Sequence, residues 1–147
     1  RNSALMKIEI PHIESLADVL IDHLDFFSQN KCFAFVGEMG AGKTTIIQKI
    51  LNLNGVKNLQ GSPTYSIINE YETEEGMILY HLDCYRIKNN AEAFELGIEE
   101  LLSKKNPIFI EWPKKINAFL PSDTIWVHLE VSENHTRIIE IVDEHRS

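Results

Sequence analysis

The stretch that most constrains this chain runs from Cys32 to Leu53. Five apolar residues, Cys32–Val36, lead into Gly37-Glu38-Met39-Gly40-Ala41-Gly42-Lys43-Thr44, and a segment with helical apolar spacing follows to Leu53. An apolar run without polar alternation suits a strand covered on both faces. The glycine loop matches G-x-x-x-x-G-K-[ST] throughout. Glycines let successive backbone N–H groups turn inward as an anion cradle, and a helix N-terminus adds its dipole and free donors. In such a loop Lys43 reaches the outer phosphates and the Thr44 hydroxyl binds Mg2+. Strand, phosphate loop and helix in that order predict an α/β fold. Its form is a three-layer P-loop NTPase with a mainly parallel sheet and antiparallel edge strands.

The remaining pattern fits one such domain. Lys7–Ile10 is a short strand ended by Pro11, and Glu14–Phe27 carries Leu16, Val19, Leu20, Leu24 and Phe27 at helical spacing. The helix that begins at Lys43 is expected to stop near Asn54-Gly55. Ser66–Thr73 and Met77–Asp83 read as a hairpin around Glu74-Glu75-Gly76. Ala91–Leu102 is a helix with a break at Gly97, and Pro107–Glu111 is another short strand. Asp123–Val131 and Thr136–Val142 alternate apolar and polar residues, which predicts an antiparallel edge pair. Arg1–Leu5 reads as an expression remnant before a native start at Met6, leaving residues 6–147 as the domain. Cys32 and Cys84 each sit in an apolar run, so buried free thiols and a cytoplasmic setting are expected. The net charge of -8 opposes stand-alone binding to nucleic acid or anionic membrane. No apolar run approaches the ~20 residues of a spanning helix.

A phosphate loop that works on its nucleotide needs acids at nearby strand ends. Glu111 closes the apolar strand Pro107-Ile108-Phe109-Ile110-Glu111, and Asp83 closes Met77–Asp83. One carboxylate would touch the metal and one would act through water; the sequence leaves open which does which. Thr64, in Ser62-Pro63-Thr64-Tyr65, lies where switch-type enzymes sense the terminal phosphate, although a plain proline turn fits too. His81 either orients Asp83 or packs, and Trp126 reads as core. A small P-loop kinase would need an arginine-bearing lid, but Tyr85 to Pro107 contains only Arg86. A guanine-reading Asn-Lys-x-Asp is absent, since Asn30-Lys31 continues as Cys32-Phe33. The other alternative is a non-hydrolysing, nucleotide-dependent adaptor; two strand-end acids together with a Mg2+-binding Thr44 favour hydrolysis, if only in a complex.

Four segments together resemble one family. They are Gly37-Glu-Met-Gly-Ala-Gly-Lys-Thr-Thr45, Ser62-Pro-Thr-Tyr65, Tyr80-His-Leu-Asp-Cys-Tyr-Arg86 and Ile110-Glu-Trp-Pro113. Their order and spacing are similar to the TsaE family, small bacterial P-loop ATPases of tRNA threonylcarbamoyladenosine biosynthesis. The resemblance implies an ATPase, slow alone, that uses ATP and Mg2+ and acts with TsaB and TsaD, which hold most of the tRNA. It implies nucleotide contacts from Gly37, Glu38, Met39, Gly40, Ala41, Gly42, Lys43, Thr44 and Thr45. It also implies that Thr44, Asp83 and Glu111 surround Mg2+, with Lys43, Asp83 and Glu111 serving catalysis. Thr64 would belong to a switch-like loop, Trp112 would lie beside the site, and Arg137 would contact nucleotide.

Overall fold

A computed structural model describes residues 5–38, 40–56 and 66–143. Met39 and the expected switch segment with Thr64 lie outside the described residues. In chain order the elements are β1 (Met6–Ile10), α1 (Leu16–Ile21), α2 (Leu24–Phe27), β2 (Cys32–Val36) and α3 (Lys43–Leu53). Next come β3 (Ile68–Glu72), β4 (Ile78–Asp83), α4 (Asn90–Glu95), α5 (Ile98–Leu102), β5 (Ile108–Glu111), β6 (Ile125–Val131) and β7 (Arg137–Val142). Seven strands form one sheet in the order β1-β7-β6-β2-β5-β4-β3. The four inner strands β6, β2, β5 and β4 run parallel, while β7, β1 and β3 pair antiparallel at the flanks.

Both faces are covered. One face presents Phe33, Phe35, Phe109 and Val127 to α1, α2 and α3, where Phe27, Ile46, Ile47 and Ile50 are buried. The other presents Cys32, Leu82, Ile108 and Ile110 to α4, α5 and the 3-10 segment Pro113–Phe119. The apolar run of β2 follows from this, since its neighbours in sequence face opposite layers and both layers are dry. Cys32 and Cys84 are buried and free. Among the described residues, no helix is long and apolar enough to cross a membrane.

Several expectations hold and others shift. The hairpin closes where expected, with Thr73 N–H donating to Met77 O at 2.9 Å and Gly76 at φ 91°. Gly97, at φ 81°, separates α4 from α5 as expected. The helix from Glu14 to Phe27 is instead a 3-10 turn, Ile13–Ser15, followed by α1 and α2, which are parted at Asp22 and His23. The expected edge pair is not at the edge. β6 lies inside the sheet, parallel to β2, and β1 covers β7 with Ile8 opposite Ile139. The physical reason is burial on both faces in the first half of β6, where Trp126 packs with Ala34 and Val142 on one face and Val127 joins the phenylalanine-rich layer on the other.

Candidate functional site

The loop from β2 to α3 lies at the C-terminal ends of the parallel strands, where the helix N-terminus points at the strand ends. Gly37 continues β2 opposite Leu129 of β6, and a Cβ there would sit 2.9 Å from Leu129 O. Gly42 caps α3 at φ 98°, a left-handed conformation that glycine adopts without penalty. A Cβ at Gly42 would also come within 3.1 Å of Arg137 Nε. Ala41 N–H donates to Glu38 O at 3.0 Å, closing the loop on itself.

Lys43, Thr44 and Thr45 form the first turn of α3. Lys43 is buried; its Nζ donates to Gly37 O at 2.7 Å and stands 4.0 Å from the centre of the Trp112 ring. Burial holds its ammonium below the usual lysine range, and the Glu111 and Asp83 carboxylates partly counter that. Trp112 has φ 57° and ψ 52°, rare for a bulky side chain. Pro113 follows it and disfavours the right-handed helical region at Trp112. Its ring also lies 5.0 Å, centre to centre, from that of Tyr85.

The strand ends bring the acids to the same place. The parallel register sets Asp83 opposite Glu111 and His81 opposite Phe109. Thr44 Oγ1 donates to Glu111 at 2.8 Å from Oε1 and 2.9 Å from Oε2. Glu111 is 4% exposed, and His81 Nε2 lies 2.7 Å from its Oε2. An ionised carboxylate only accepts, so this contact assigns the proton to Nε2. A buried carboxylate is costly unless paired and hydrogen-bonded, and these two donors supply that. Asp83 is half-buried, with Oδ1 accepting from Tyr85 N–H at 3.2 Å. A cleft of about 970 Å³ opens beside the loop, walled by Gly37, Glu38, Lys43, Trp112, Lys114 and Leu129.

Of the residues singled out from the sequence, the described glycines of the loop, Lys43, Thr44, Asp83, Glu111 and Trp112 meet around this one place. Arg137 reaches it from β7, its Nε buried against Gly42 with no hydrogen-bond partner among the described residues. His81 joins Glu111 rather than Asp83. The only hint of that in the sequence is its two-residue spacing from Asp83, which puts both on one strand face. Among the described residues no group of three or more His, Cys, Asp and Glu side chains is placed to hold an ion unaided.

The family model for threonylcarbamoyl adenosine biosynthesis protein TsaE matches residues 10–139. The chain belongs to the TsaE family. Its relatives are named as tRNA threonylcarbamoyladenosine biosynthesis proteins. The TsaE of Rickettsia prowazekii is 40% identical over 109 residues, covering 74% of each chain. That of Rickettsia conorii is 36% identical over 111 residues, 75% of this chain and 62% of its own length. The Bacillus subtilis TsaE is 32% identical over 104 residues, 70% of this chain and 63% of its own length. The matches thus span under two thirds of the length of some relatives. The crystal structure of Bacillus subtilis YdiB superposes with a TM-score of 0.76, covering 97% of this chain and 87% of that one. At 22% identity that likeness speaks to the fold. TsaE membership ties the chain to tRNA threonylcarbamoyladenosine biosynthesis.

Proposed function

We propose that this TsaE protein binds ATP with Mg2+ and hydrolyses it, as the nucleotide-driven component of tRNA threonylcarbamoyladenosine formation. The observation that carries this reading is the bond from Thr44 Oγ1 to both oxygens of Glu111. It joins the hydroxyl of the glycine loop to a strand-end acid 67 residues away, as a metal-assisted phosphate site requires. The donor set suits Mg2+, because a hydroxyl and two carboxylates are hard oxygen ligands. Mg2+ uses one or two carboxylates plus phosphate and water rather than a full protein cage. Thr44, Asp83 and Glu111 would hold it. When bound, it neutralises charge on the phosphate oxygens and orients them.

This chain's own groups supply the rest. The loop amides and Lys43 take the outer phosphates, with the Lys43 ammonium transferring from Gly37 O to phosphate oxygen. Glu111 accepts a hydrogen bond from the attacking water and holds its oxygen toward the terminal phosphorus. As that oxygen–phosphorus bond forms, the bond to the ADP oxygen breaks, its electron pair leaves on ADP and the water's proton passes to the phosphate product. The cleft beside Trp112 has room for the nucleoside. The stretch from Tyr85 to Pro107 offers no arginine-rich lid to close over the phosphates, so turnover alone is slow, and TsaB and TsaD are the partners that complete the site in the cytoplasm. The test is calorimetric binding of ATP with and without Mg2+, alongside phosphate release, in wild type, Glu111→Gln and Asp83→Asn. Glu111→Gln should bind ATP yet lose hydrolysis, and Asp83→Asn should blunt the Mg2+ dependence. Wild-type hydrolysis in both variants rejects the assignment.

A further inference from the structure

His81 is 1% exposed and, among the described residues, its side chain makes one hydrogen bond, from Nε2 to Glu111 Oε2 at 2.7 Å. Its other nitrogen, Nδ1, is buried with no partner among the described residues. A buried polar ring with one of its two nitrogens unpaired is a costly use of a core position, and an apolar residue would pack there without that cost. Its neighbours on the same strand face are Leu79, fully buried, and Asp83 at the strand end. Among the described residues Glu111 has two side-chain donors, Thr44 and His81. They come from different elements. Thr44 sits in the first turn of α3, directly after the glycine loop, whereas His81 lies in an inner strand of the sheet.

We propose that His81 is a positioning residue for Glu111. When the Thr44 hydroxyl turns to a metal ion and phosphate, Glu111 loses that donor. His81 then anchors Oε2, so that Oε1 alone faces the site with its orientation kept. This rests on the reading of Glu111 as the acid that orients water. Partners one shell out from a metal-site carboxylate typically change activity about 10–100-fold when removed.

The first measurement needs no turnover. The nucleotide-free protein should show an exchange-protected imidazole N–H by NMR, absent from His81→Phe and unprotected in Glu111→Leu. The signal should persist at saturating Mg-ATP. Its absence in the free protein, or its loss on adding Mg-ATP, overturns the proposal. The second measurement is phosphate release at saturating Mg-ATP with calorimetric affinity. His81→Phe should lower kcat about 10–100-fold while ATP affinity stays within about threefold. His81→Gln, whose amide N–H can reach Oε2, should recover most of the rate; it also serves if the phenylalanine variant folds poorly. Adding His81→Phe to Glu111→Gln should cost nothing further, because His81 acts through Glu111. Independent, multiplying losses in the double variant overturn the proposal and leave a packing role. A Glu111→Gln that keeps the wild-type rate overturns the water-orienting reading and this proposal together. A slow Glu111→Gln beside a fast His81→Phe overturns this proposal alone.

Discussion

Replacing Gly37 with alanine would strike the junction between sheet and loop. The added Cβ would stand 2.9 Å from Leu129 O, 3.2 Å from Leu129 Cβ and 3.4 Å from Ala41 Cβ. Ordinary close carbon–oxygen contacts run at about 3.3–3.6 Å, so roughly 0.4–0.7 Å must be found. The blocking oxygen belongs to the backbone of β6, which is tied to β2 on one side and β7 on the other. It cannot step aside like a flexible side chain, so the start of the loop moves instead. Overpacking of this kind costs about 1–3 kcal/mol, and each kcal/mol lowers Tm by about 2–4 °C in a domain near this size. Gly37→Ala should therefore melt roughly 2–12 °C below wild type. Because Gly37 O accepts from Lys43, the shift should also weaken Mg-ATP binding. Gly76→Ala is the control: its φ is 91°, nothing lies within 4 Å of its Cβ, and it sits in the β3–β4 turn away from the loop. It should lower Tm through backbone strain and leave Mg-ATP affinity alone. Thermal unfolding by circular dichroism and calorimetric titration measure both quantities. A Gly37→Ala protein with wild-type Tm and affinity would refute the packing account of this junction.

Lys43 should make nucleotide binding pH-sensitive. Its folded pKa lies below the ordinary 10.5 because of burial, and bound phosphate favours the charged form. Affinity should be full below that lowered pKa and fall as pH rises through it, with proton uptake on binding in the alkaline range. Calorimetry in buffers of different ionisation enthalpy reads the uptake; none would contradict a buried, phosphate-facing ammonium. Without nucleotide, stability should rise between the lowered pKa and 10.5, since the folded state penalises the charged form. Burial pushes both thiols up to about 12, so neither Cys32 nor Cys84 should react with a disulfide reagent at neutral pH until the chain is unfolded. Rapid labelling of the native protein would contradict this. Trp126 is buried in the sheet, so Trp126→Phe leaves Trp112, of two tryptophans, to report the site. Its emission should change as ATP draws Lys43 from the ring; a flat signal during calorimetrically proven binding would place the nucleotide elsewhere.

The parts legible in the sequence were those set by neighbours along the chain. The run Cys32–Val36, the loop to Thr44 and the helix to Leu53 are local, and so is the break at Gly97. The residues gathered at the site were legible because strand-end acids and a glycine loop share one end of a parallel sheet. What depended on pairing across the sheet was less so. The alternation in Asp123–Val131 looks like an edge strand until β2 and β7 flank it and its first three residues, Ile125–Val127, are buried on both faces. The helix from Glu14 keeps its apolar spacing across His23, where the backbone leaves the helix, because α1 and α2 bury the same layer. The tie between His81 and Glu111 follows from the β4–β5 register, which two segments 30 residues apart do not announce.

Replacing the Lys43 ammonium tests the central claim most directly, since it is the one cation the loop itself supplies. Lys43→Ala and wild type should be titrated with Mg-ATP by calorimetry and followed for phosphate release, alone and with TsaB and TsaD. Removing a buried ammonium relieves its desolvation, so the variant should keep its fold and melt near wild type. Its affinity for Mg-ATP should fall at least about tenfold, the loss expected for one charge-assisted bond of about 1.5–3 kcal/mol, and its turnover should vanish with or without partners. A folded Lys43→Ala protein that binds and hydrolyses ATP as wild type does would show that the glycine loop is not the site.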